Sequence, residues 1–247
     1  MLVQNQFSAA PTVTVQYSSF HNFGWMAVEA SANNGGAAIT VDSNSLVGPG
    51  LSSGNGILIG YGAGGSVTNN SISNALRTGD QTHLADNWWG ILVQCANNLN
   101  VSNNIVGNTD IGIALYNGLN GNPNCGGWGP AGYPVMQNQV FDSGTDGIFV
   151  CGSNSIIQNN SVRDSSRAAI NFVQTCLAKN NVATQNVLNG ACATALVGAD
   201  AAGNTISPND VFNTNFVQLS GTSCTGGFLA PVQDGGGAKA LPAPPGS

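Results

Sequence analysis

The chain has 247 residues, of which 6% are charged and 34 are glycine, and five Lys and Arg against eleven Asp and Glu give a net charge of −6. Such a chain offers no basic patch to a phosphate backbone, so nucleic acid and anionic membranes are not expected as partners. No apolar run approaches the roughly 18 residues that span a bilayer, and the first residues lack the basic start and apolar run of a signal peptide.

The chain starts with two segments that predict one or two irregular β turns, Val13 to Phe20 and Ile39 to Val47. After them, short strands recur, each introduced by a small residue. Aligned on that residue, the strands are Gly56-Ile-Leu-Ile, Gly90-Ile-Leu-Val, Gly112-Ile-Ala-Leu, Gly147-Ile-Phe-Val and Ala169-Ile-Asn-Phe.

The aligned strands predict two columns of inward side chains, because successive side chains of a strand point to opposite faces. The first column is Ile57, Ile91, Ile113, Ile148 and Ile170. The second is Ile59, Val93, Leu115, Val150 and Phe172. The residues between them are expected to point outward: Leu58, Leu92, Ala114, Phe149 and Asn171.

A second repeated element places an asparagine at a corner of the chain. Its copies are Val67-Thr-Asn-Asn-Ser-Ile, Val101-Ser-Asn-Asn-Ile-Val, Val135-Met-Gln-Asn-Gln-Val, Ile156-Ile-Gln-Asn-Asn-Ser-Val and Ala178-Lys-Asn-Asn-Val-Ala. An asparagine tolerates left-handed backbone geometry, and its amide can bond to the amides above and below it. The register asparagines are Asn70, Asn104, Asn138, Asn160 and Asn181. Between them, two long steps of about 34 residues are followed by two short steps of about 22 residues.

These periods predict an all-β fold, a right-handed parallel β-helix of about eight turns with a basic period of about 22 residues. Residues 1–233 form a single domain, with irregular first turns in residues 1–50. Residues 234–247 are rich in Gly and Pro and are expected to form a flexible tail.

Six cysteines are spaced by roughly one turn. We predict clips between neighbouring turns that join Cys95 to Cys125, Cys151 to Cys176, and Cys192 to Cys224. Six cysteines allow fifteen connectivities, so this pairing is one choice among several. Disulfides imply an oxidising compartment, whereas the alternative is six thiols that pack as small apolar groups.

The repeated Gly-Ile-x-Val and Val-x-x-Asn-x-Val patterns resemble the β-helix repeats of the pectate-lyase-like superfamily, from about Thr12 to Asn213. The resemblance implies a right-handed parallel β-helix in a superfamily of polysaccharide lyases, uronan epimerases, glycosidases and periplasmic copper-delivery proteins. It specifies the fold and leaves the activity open, because such folds host many functions. Asn108-Thr-Asp110 is an isolated fragment of the polygalacturonase motifs. The wide spacing of His21 and His83 argues against a metal site with His or Cys ligands.

Two insertions, Ala75 to Asn87 and Tyr116 to Pro134, occur in successive turns and are expected to lie side by side. In a functional interpretation, aromatic rings stack on sugars while His83, Asp80 or Asp86 provides acid or base catalysis. In the alternative, the insertions cover the outward apolar row and their aromatics form a satellite core. The candidate sugar-binding residues are Trp88, Trp89, Trp128, Tyr116 and Tyr133.

A polar column follows the asparagine corner. Asp142 and Asp164 occupy equivalent positions in it, and Arg167 lies in the next connection. Stacked acids can bind Ca²⁺, which would bridge a polyuronate to the protein, or can have raised pKa values that suit catalysis. In the alternative, Asp replaces Asn as a turn former and arginine is a surface counter-charge.

Two functions follow from these patterns. The first is an extracellular domain, secreted, on the cell surface or periplasmic, that engages polysaccharide as a lyase, epimerase or hydrolase along the insertion-bearing face. It needs no cofactor, or Ca²⁺ if the substrate is a polyuronate. The second is a non-catalytic structural or adhesive solenoid that self-associates through its apolar face or open ends, as in a surface fibre or tailspike-like assembly.

Overall fold

A computed structural model describes residues 2–5, 11–32, 36–50, 54–76, 88–96, 98–116, 134–151, 154–165, 168–172, 182–184, 186–189, 194–197 and 205–206. All the secondary structure in these residues is β-strand, arranged in three parallel sheets. Consecutive strands of the chain lie in different sheets, and each strand pairs with the strands one turn before and after it. This is the predicted parallel β-helix.

The strands are numbered in chain order. The first sheet contains β1 (Leu2–Asn5), β4 (Met26–Ala32), β7 (Asn55–Gly60), β10 (Trp89–Gln94), β13 (Ile111–Tyr116), β16 (Ile148–Cys151), β19 (Ala168–Phe172) and β22 (Thr194–Val197). The second contains β2 (Thr12–Gln16), β5 (Ala38–Asp42), β8 (Gly64–Thr68), β11 (Leu99–Ser102), β14 (Pro134–Met136), β17 (Ile156–Gln158), β20 (Val182–Thr184) and β23 (Thr205–Ile206). The third contains β3 (Ser19–His21), β6 (Ser45–Gly50), β9 (Ser71–Ala75), β12 (Ile105–Thr109), β15 (Gln139–Ser143), β18 (Ser161–Ser165) and β21 (Val187–Asn189).

The predicted columns of the first sheet are confirmed by the strand register. Ile57, Ile91 and Ile113 are neighbours in successive strands, and Ile148 and Ile170 continue the same column. All five side chains are fully buried in the main core. Because burying one such side chain stabilises a fold by about 1.5 to 3 kcal/mol, this repeated column is a principal source of stability.

The interior is completed by columns of aliphatic residues from the other two sheets. In the second sheet these are Val41, Val67, Val101, Val135, Ile157 and Ala183, and in the third they are Leu46, Ile72, Val106, Val140 and Val162. Their exposure is 1% or less. Each turn therefore contributes to the core from three sides, and the core is a rod that extends along the stack.

The corner between the second and third sheets holds an unbroken ladder of buried asparagines. In each rung, the backbone N–H and the Nδ2 of one asparagine both donate to the Oδ1 of the next, at 2.9 to 3.0 Å. Each Nδ2 also donates to a backbone carbonyl at 2.8 to 3.0 Å. The six rungs are Asn44, Asn70, Asn104, Asn138, Asn160 and Asn186.

The ladder corrects the sequence interpretation in one place. Asn160 bonds to Asn186 and not to the predicted Asn181, so this step is 26 residues. The register agrees, because Val182 pairs with Ile156 and thereby places Ala183 opposite Ile157. Asn181 and Ala178 lie outside the described residues. The ladder also extends one turn further back than predicted, to Asn44.

The left-handed geometry at this corner belongs to the residue before each rung. Positive φ angles occur at Ser43, Asn69, Asn103, Gln137 and Asn159, between 55° and 58°. Asparagine tolerates this region because its short side chain adds little steric cost there. In the Asn-Asn pairs, therefore, the first asparagine makes the turn and the second makes the ladder.

We expect Asn138→Ala to destabilise the protein by about 3 kcal/mol or more, since each buried polar group that loses its partner costs about 1 to 3 kcal/mol. The change removes the acceptor of the Asn104 backbone N–H and Nδ2, and the donor to the Val101 carbonyl. Urea denaturation measures the loss. The control is Gln139→Ala at the next, exposed position, and an equal effect of both changes would contradict the ladder's role.

Space requires a glycine near the start of four strands of the first sheet, where it is Gly56, Gly90, Gly112 or Gly147. A Cβ at Gly112 would overlap the Val140 side chain and the Gly147 carbonyl of the next turn. We expect Gly112→Ala to lower the free energy of unfolding by about 1 to 3 kcal/mol through this overlap. Gly24→Ala is the control, since nothing lies within 4 Å of the added methyl group. Thermal unfolding compares them, and equal melting temperatures would contradict the packing argument.

Candidate functional site

The side chains predicted to point outward from the first sheet do face away from the main core. They are nevertheless buried. The members of this outward row pair in register, and four of them lie in a second apolar cluster, separate from the main core. Leu92 and Ala114 are each 1% exposed and Phe149 is 5% exposed. The row is therefore not an open groove along the sheet. In successive strands from β4 to β19 it reads Glu29, Leu58, Leu92, Ala114, Phe149 and Asn171.

Two predicted sugar-binding residues belong to this buried cluster. Trp89 is 7% exposed and is a member of the cluster, and Tyr116 is half-buried against it. Burial of the Tyr116 ring raises the pKa of its hydroxyl. Both rings therefore pack at the second cluster, Trp89 as a member of it and Tyr116 against it.

Trp88 lies in a different environment, at the rim of the first sheet. Its indole meets that of Trp25 edge to face, with ring centroids 5.2 Å apart and an interplanar angle of 81°. Trp25 is 47% exposed. The two tryptophans are two turns apart, and the turn between them has Gly54 at this level, where a Cβ would overlap the Trp25 backbone. Gly54 thus keeps the intervening turn free of a side chain.

The acids of the predicted polar column occupy a backbone corner. Asp142 and Asp164 have φ angles of 52° and 57°, the same left-handed geometry as Asn74 and Asn108 in earlier turns. Both are exposed, and Asp164 forms an ion pair with Arg163 at 2.8 Å. The Arg163 guanidinium also lies 4.7 Å from the centre of the Phe141 ring. The positions of the two acids are explained by turn formation.

Two further acids bind backbone N–H groups where strands of the first sheet begin. The Asp110 carboxylate accepts from Trp88 N at 3.0 Å, and the Asp146 carboxylate accepts from Ala168 N at 3.1 Å. Asp146 also accepts from the Asn171 amide at 2.9 Å. These carboxylates join neighbouring turns. Among the described residues, no three His, Cys, Asp or Glu side chains come together in a way that would hold a metal ion.

The first sheet also presents a polar cluster that the sequence analysis missed. Glu29, the only glutamate of the chain, lies in the outward row between Leu2 and Leu58 of the neighbouring strands and is 7% exposed. Burial raises the pKa of its carboxyl. The pKa of Tyr61 is raised by burial and by the negative charge of Glu29, and its backbone N–H donates to the Gln94 carbonyl at 2.9 Å. These three residues, Glu29, Tyr61 and Gln94, are called the Glu29 cluster below.

A sequence signal for the Glu29 cluster was available. Val28, Glu29 and Ala30 pair with Ile57, Leu58 and Ile59. The alignment did not include this strand because it lacks the Gly-Ile start of the later ones. A glutamate in a column of buried apolar residues is the kind of exception that marks a functional site.

The other candidate residues have no described position. His83, Asp80, Asp86, Arg167, Trp128 and Tyr133 lie outside the described residues, and their roles stay predictions.

The two cysteines in the described part of the chain, Cys95 and Cys151, are both disulfide-bonded. They are not bonded to each other, because they belong to turns on either side of β13. Two strand spacings are about 10 Å, which is beyond the reach of a disulfide. The predicted partners Cys125 and Cys176 lie outside the described residues, as do Cys192 and Cys224. The pairing therefore remains a prediction.

No protein-family model, no curated protein and no solved structure matches this chain. Among the described residues there is no helix of the length and apolarity needed to cross a membrane.

We expect Glu29→Gln to stabilise the protein at neutral and alkaline pH. A raised folded-state pKa means that the protonated carboxyl favours folding below the unfolded value of 4.5, and that this contribution is lost as the pH rises through the folded value. Glutamine remains neutral throughout. Urea denaturation is measured at about pH 4 and about pH 8. The free energy of unfolding of the variant should exceed that of wild type only at the higher pH. The same difference at both would contradict the burial of an ionisable Glu29.

Proposed function

We propose that this protein is an extracellular β-helix of the pectate-lyase-like superfamily that engages carbohydrate. The Trp25–Trp88 pair carries the proposal. An indole presents a large, rigid apolar face together with one polar N–H, which suits the mixed apolar and hydroxyl character of a sugar ring. Trp25 leaves almost half of its surface in water, although a large apolar ring gains free energy from burial.

The environment of the pair supports a binding role. The Trp88 backbone is held by Asp110, and its ring supports Trp25 from the side. A ring that is fixed before the ligand arrives loses less conformational entropy on binding. The tryptophans stand at the rim of the first sheet next to the second apolar cluster, so a sugar chain can reach them without displacing the buried row.

The proposed location rests on the disulfide-bonded Cys95 and Cys151, because disulfides persist in oxidising compartments. The finer activity, as a lyase, epimerase or hydrolase, rests on Glu29. Burial raises the pKa of its carboxyl, a property common in catalytic acids and bases.

The second candidate is a non-catalytic structural solenoid that associates with copies of itself. It is favoured by the way the described acids are used, since Asp110 and Asp146 bind the backbone while Asp142 and Asp164 form corners. It is also favoured by two exposed aliphatic side chains, Ile105 and Ile156, at 43% and 42%. The candidates differ in one respect: only a glycan binder needs the Trp25 ring.

We expect Trp25→Ala to weaken glycan binding about tenfold or more, because loss of an aromatic contact of this size costs on the order of 1.4 kcal/mol. Affinity electrophoresis against a panel of polysaccharides identifies a ligand, and calorimetry with an oligosaccharide of that ligand measures the loss. Tyr17→Ala is the matched control, since Tyr17 is 82% exposed and lies in the first turn at the second-sheet corner.

If no polysaccharide is bound by the wild-type chain, or if Trp25→Ala binds as tightly as Tyr17→Ala, the carbohydrate proposal is wrong. Concentration-dependent association measured by sedimentation would then favour the structural solenoid.

A further inference from the structure

We propose that the Glu29 cluster is a second sugar-binding subsite, and that the glycan it takes is neutral and not a polyuronate. The inference rests on the proposed carbohydrate function and specifies its substrate class. It is drawn from three residues that successive turns bring together on the outer side of the first sheet: Glu29 in β4, Tyr61 directly after β7 and Gln94 at the end of β10.

Glu29 differs from every other acid that the structure describes. There are six such acids, and the other five are Asp42, Asp110, Asp142, Asp146 and Asp164. Asp110 and Asp146 hold strand backbones, while Asp142 and Asp164 form left-handed corners. Asp42 accepts four side-chain hydrogen bonds, from Gln16, Ser43, Thr68 and Asn69.

Glu29, by contrast, interrupts a column whose next three members are Leu58, Leu92 and Ala114. An apolar side chain at this place would extend the cluster without the cost of burying a carboxyl group. A residue that costs stability where a better-packing one would fit is typical of a binding or catalytic site.

The chemistry of the cluster matches sugar hydroxyls. A carboxylate accepts two or more hydrogen bonds, a phenol both donates and accepts, and an amide supplies two donors and one acceptor. The Tyr61 backbone N–H donates to the Gln94 carbonyl at 2.9 Å, and the Tyr61 side chain is half-buried and keeps part of its surface in solvent. Glu29 and Gln94 are 7% and 5% exposed. Hydrogen bonds from a ligand would therefore form in a largely desolvated place, where they are strong.

The charge of the cluster disfavours a uronate. A sugar carboxylate would meet the negative charge of Glu29 with little water between them, and like charges at short range cost several kcal/mol in such surroundings. Arg163, the one Lys or Arg in the described part of the chain, lies in the third sheet and is already paired with Asp164. The described residues also offer no carboxylate group of three that would hold a bridging Ca²⁺.

The two subsites lie along one strand, one just before its start and the other at its middle. Trp25 immediately precedes β4, and Glu29 lies within it, four residues further along the chain. Four strand residues span about 13 Å. An oligosaccharide that reaches both subsites would therefore be longer than a single sugar, which favours a polymer as the ligand.

The test compares neutral and acidic glycans with the full-length protein. Oligosaccharides of xylan, mannan and galactan are titrated beside oligogalacturonate and oligoalginate, with and without Ca²⁺, against wild type, Glu29→Gln and Tyr61→Phe. We expect a neutral oligosaccharide to bind and the uronates not to bind. Tyr61→Phe should weaken binding about fivefold, as expected for one lost hydrogen bond. Glu29→Gln should weaken it by at least as much, through loss of a charge-assisted acceptor.

The controls are Asp42→Asn, which removes the same charge at a partly exposed corner, and Tyr17→Phe, which removes an exposed phenol. Both should bind like wild type. Uronate binding as tight as neutral binding would overturn the inference, as would unchanged affinity in Glu29→Gln and Tyr61→Phe. If either result is accompanied by loss of binding in Trp25→Ala, the carbohydrate function stands and only the subsite is wrong. If wild type binds no glycan, both proposals fail.

Discussion

The asparagine ladder is the interaction on which the remaining structure depends. Six buried amides occupy one corner, and each interior one uses both of its Nδ2 hydrogens and both acceptor sites of its Oδ1 within the protein. Loss of any of these partners destabilises the fold, since each unsatisfied buried polar group costs about 1 to 3 kcal/mol of stability. The ladder therefore fixes which residue of one turn lies above which residue of the next. The aliphatic columns, the glycine column and the left-handed corners all follow from that register.

The same requirement explains why so few described acids are available for chemistry. A parallel β-helix leaves backbone N–H groups at every connection between sheets, and buried N–H groups need acceptors. Asn55, Asp110 and Asp146 supply them at the start of the first sheet. The corners favour Asn and Asp, because the left-handed backbone conformation has a higher free-energy cost for other side chains. Among the described acids, Glu29 is the one whose position is not explained by these structural roles.

Much of the fold was readable from the sequence because the fold repeats. The Gly-Ile strands predicted both inward columns and the outward row, and every predicted neighbour in these columns is a neighbour in the structure. The prediction was wrong at Asn181, because Ala178-Lys-Asn-Asn-Val resembles the corner motif locally. Register, however, is decided by which residue fills the core opposite Ile157, and that residue is Ala183. Asn44, within Val41-Asp-Ser-Asn-Ser-Leu, was also missed.

The candidate site was less predictable, because its contacts join turns that differ from the repeat. Trp25 meets Trp88 across two turns, and the contact depends on the absence of a side chain at Gly54. No spacing rule applied to one segment reveals such a pair. Glu29 was visible as an exception only after its strand had been placed in register with β7. Residues whose position follows from the period were predicted, whereas those that interrupt it needed the structure.

The most direct test of this account uses the fact that the chain has a single glutamate. Labelling glutamate with ¹³C at the carboxyl carbon gives one resonance, which reports Glu29 alone in the full-length protein. The account predicts that this resonance titrates above the ordinary range of a glutamate and shifts when a neutral oligosaccharide is added. A carboxyl that titrates like a solvent-exposed glutamate, and whose resonance does not change when a glycan binds, would contradict it.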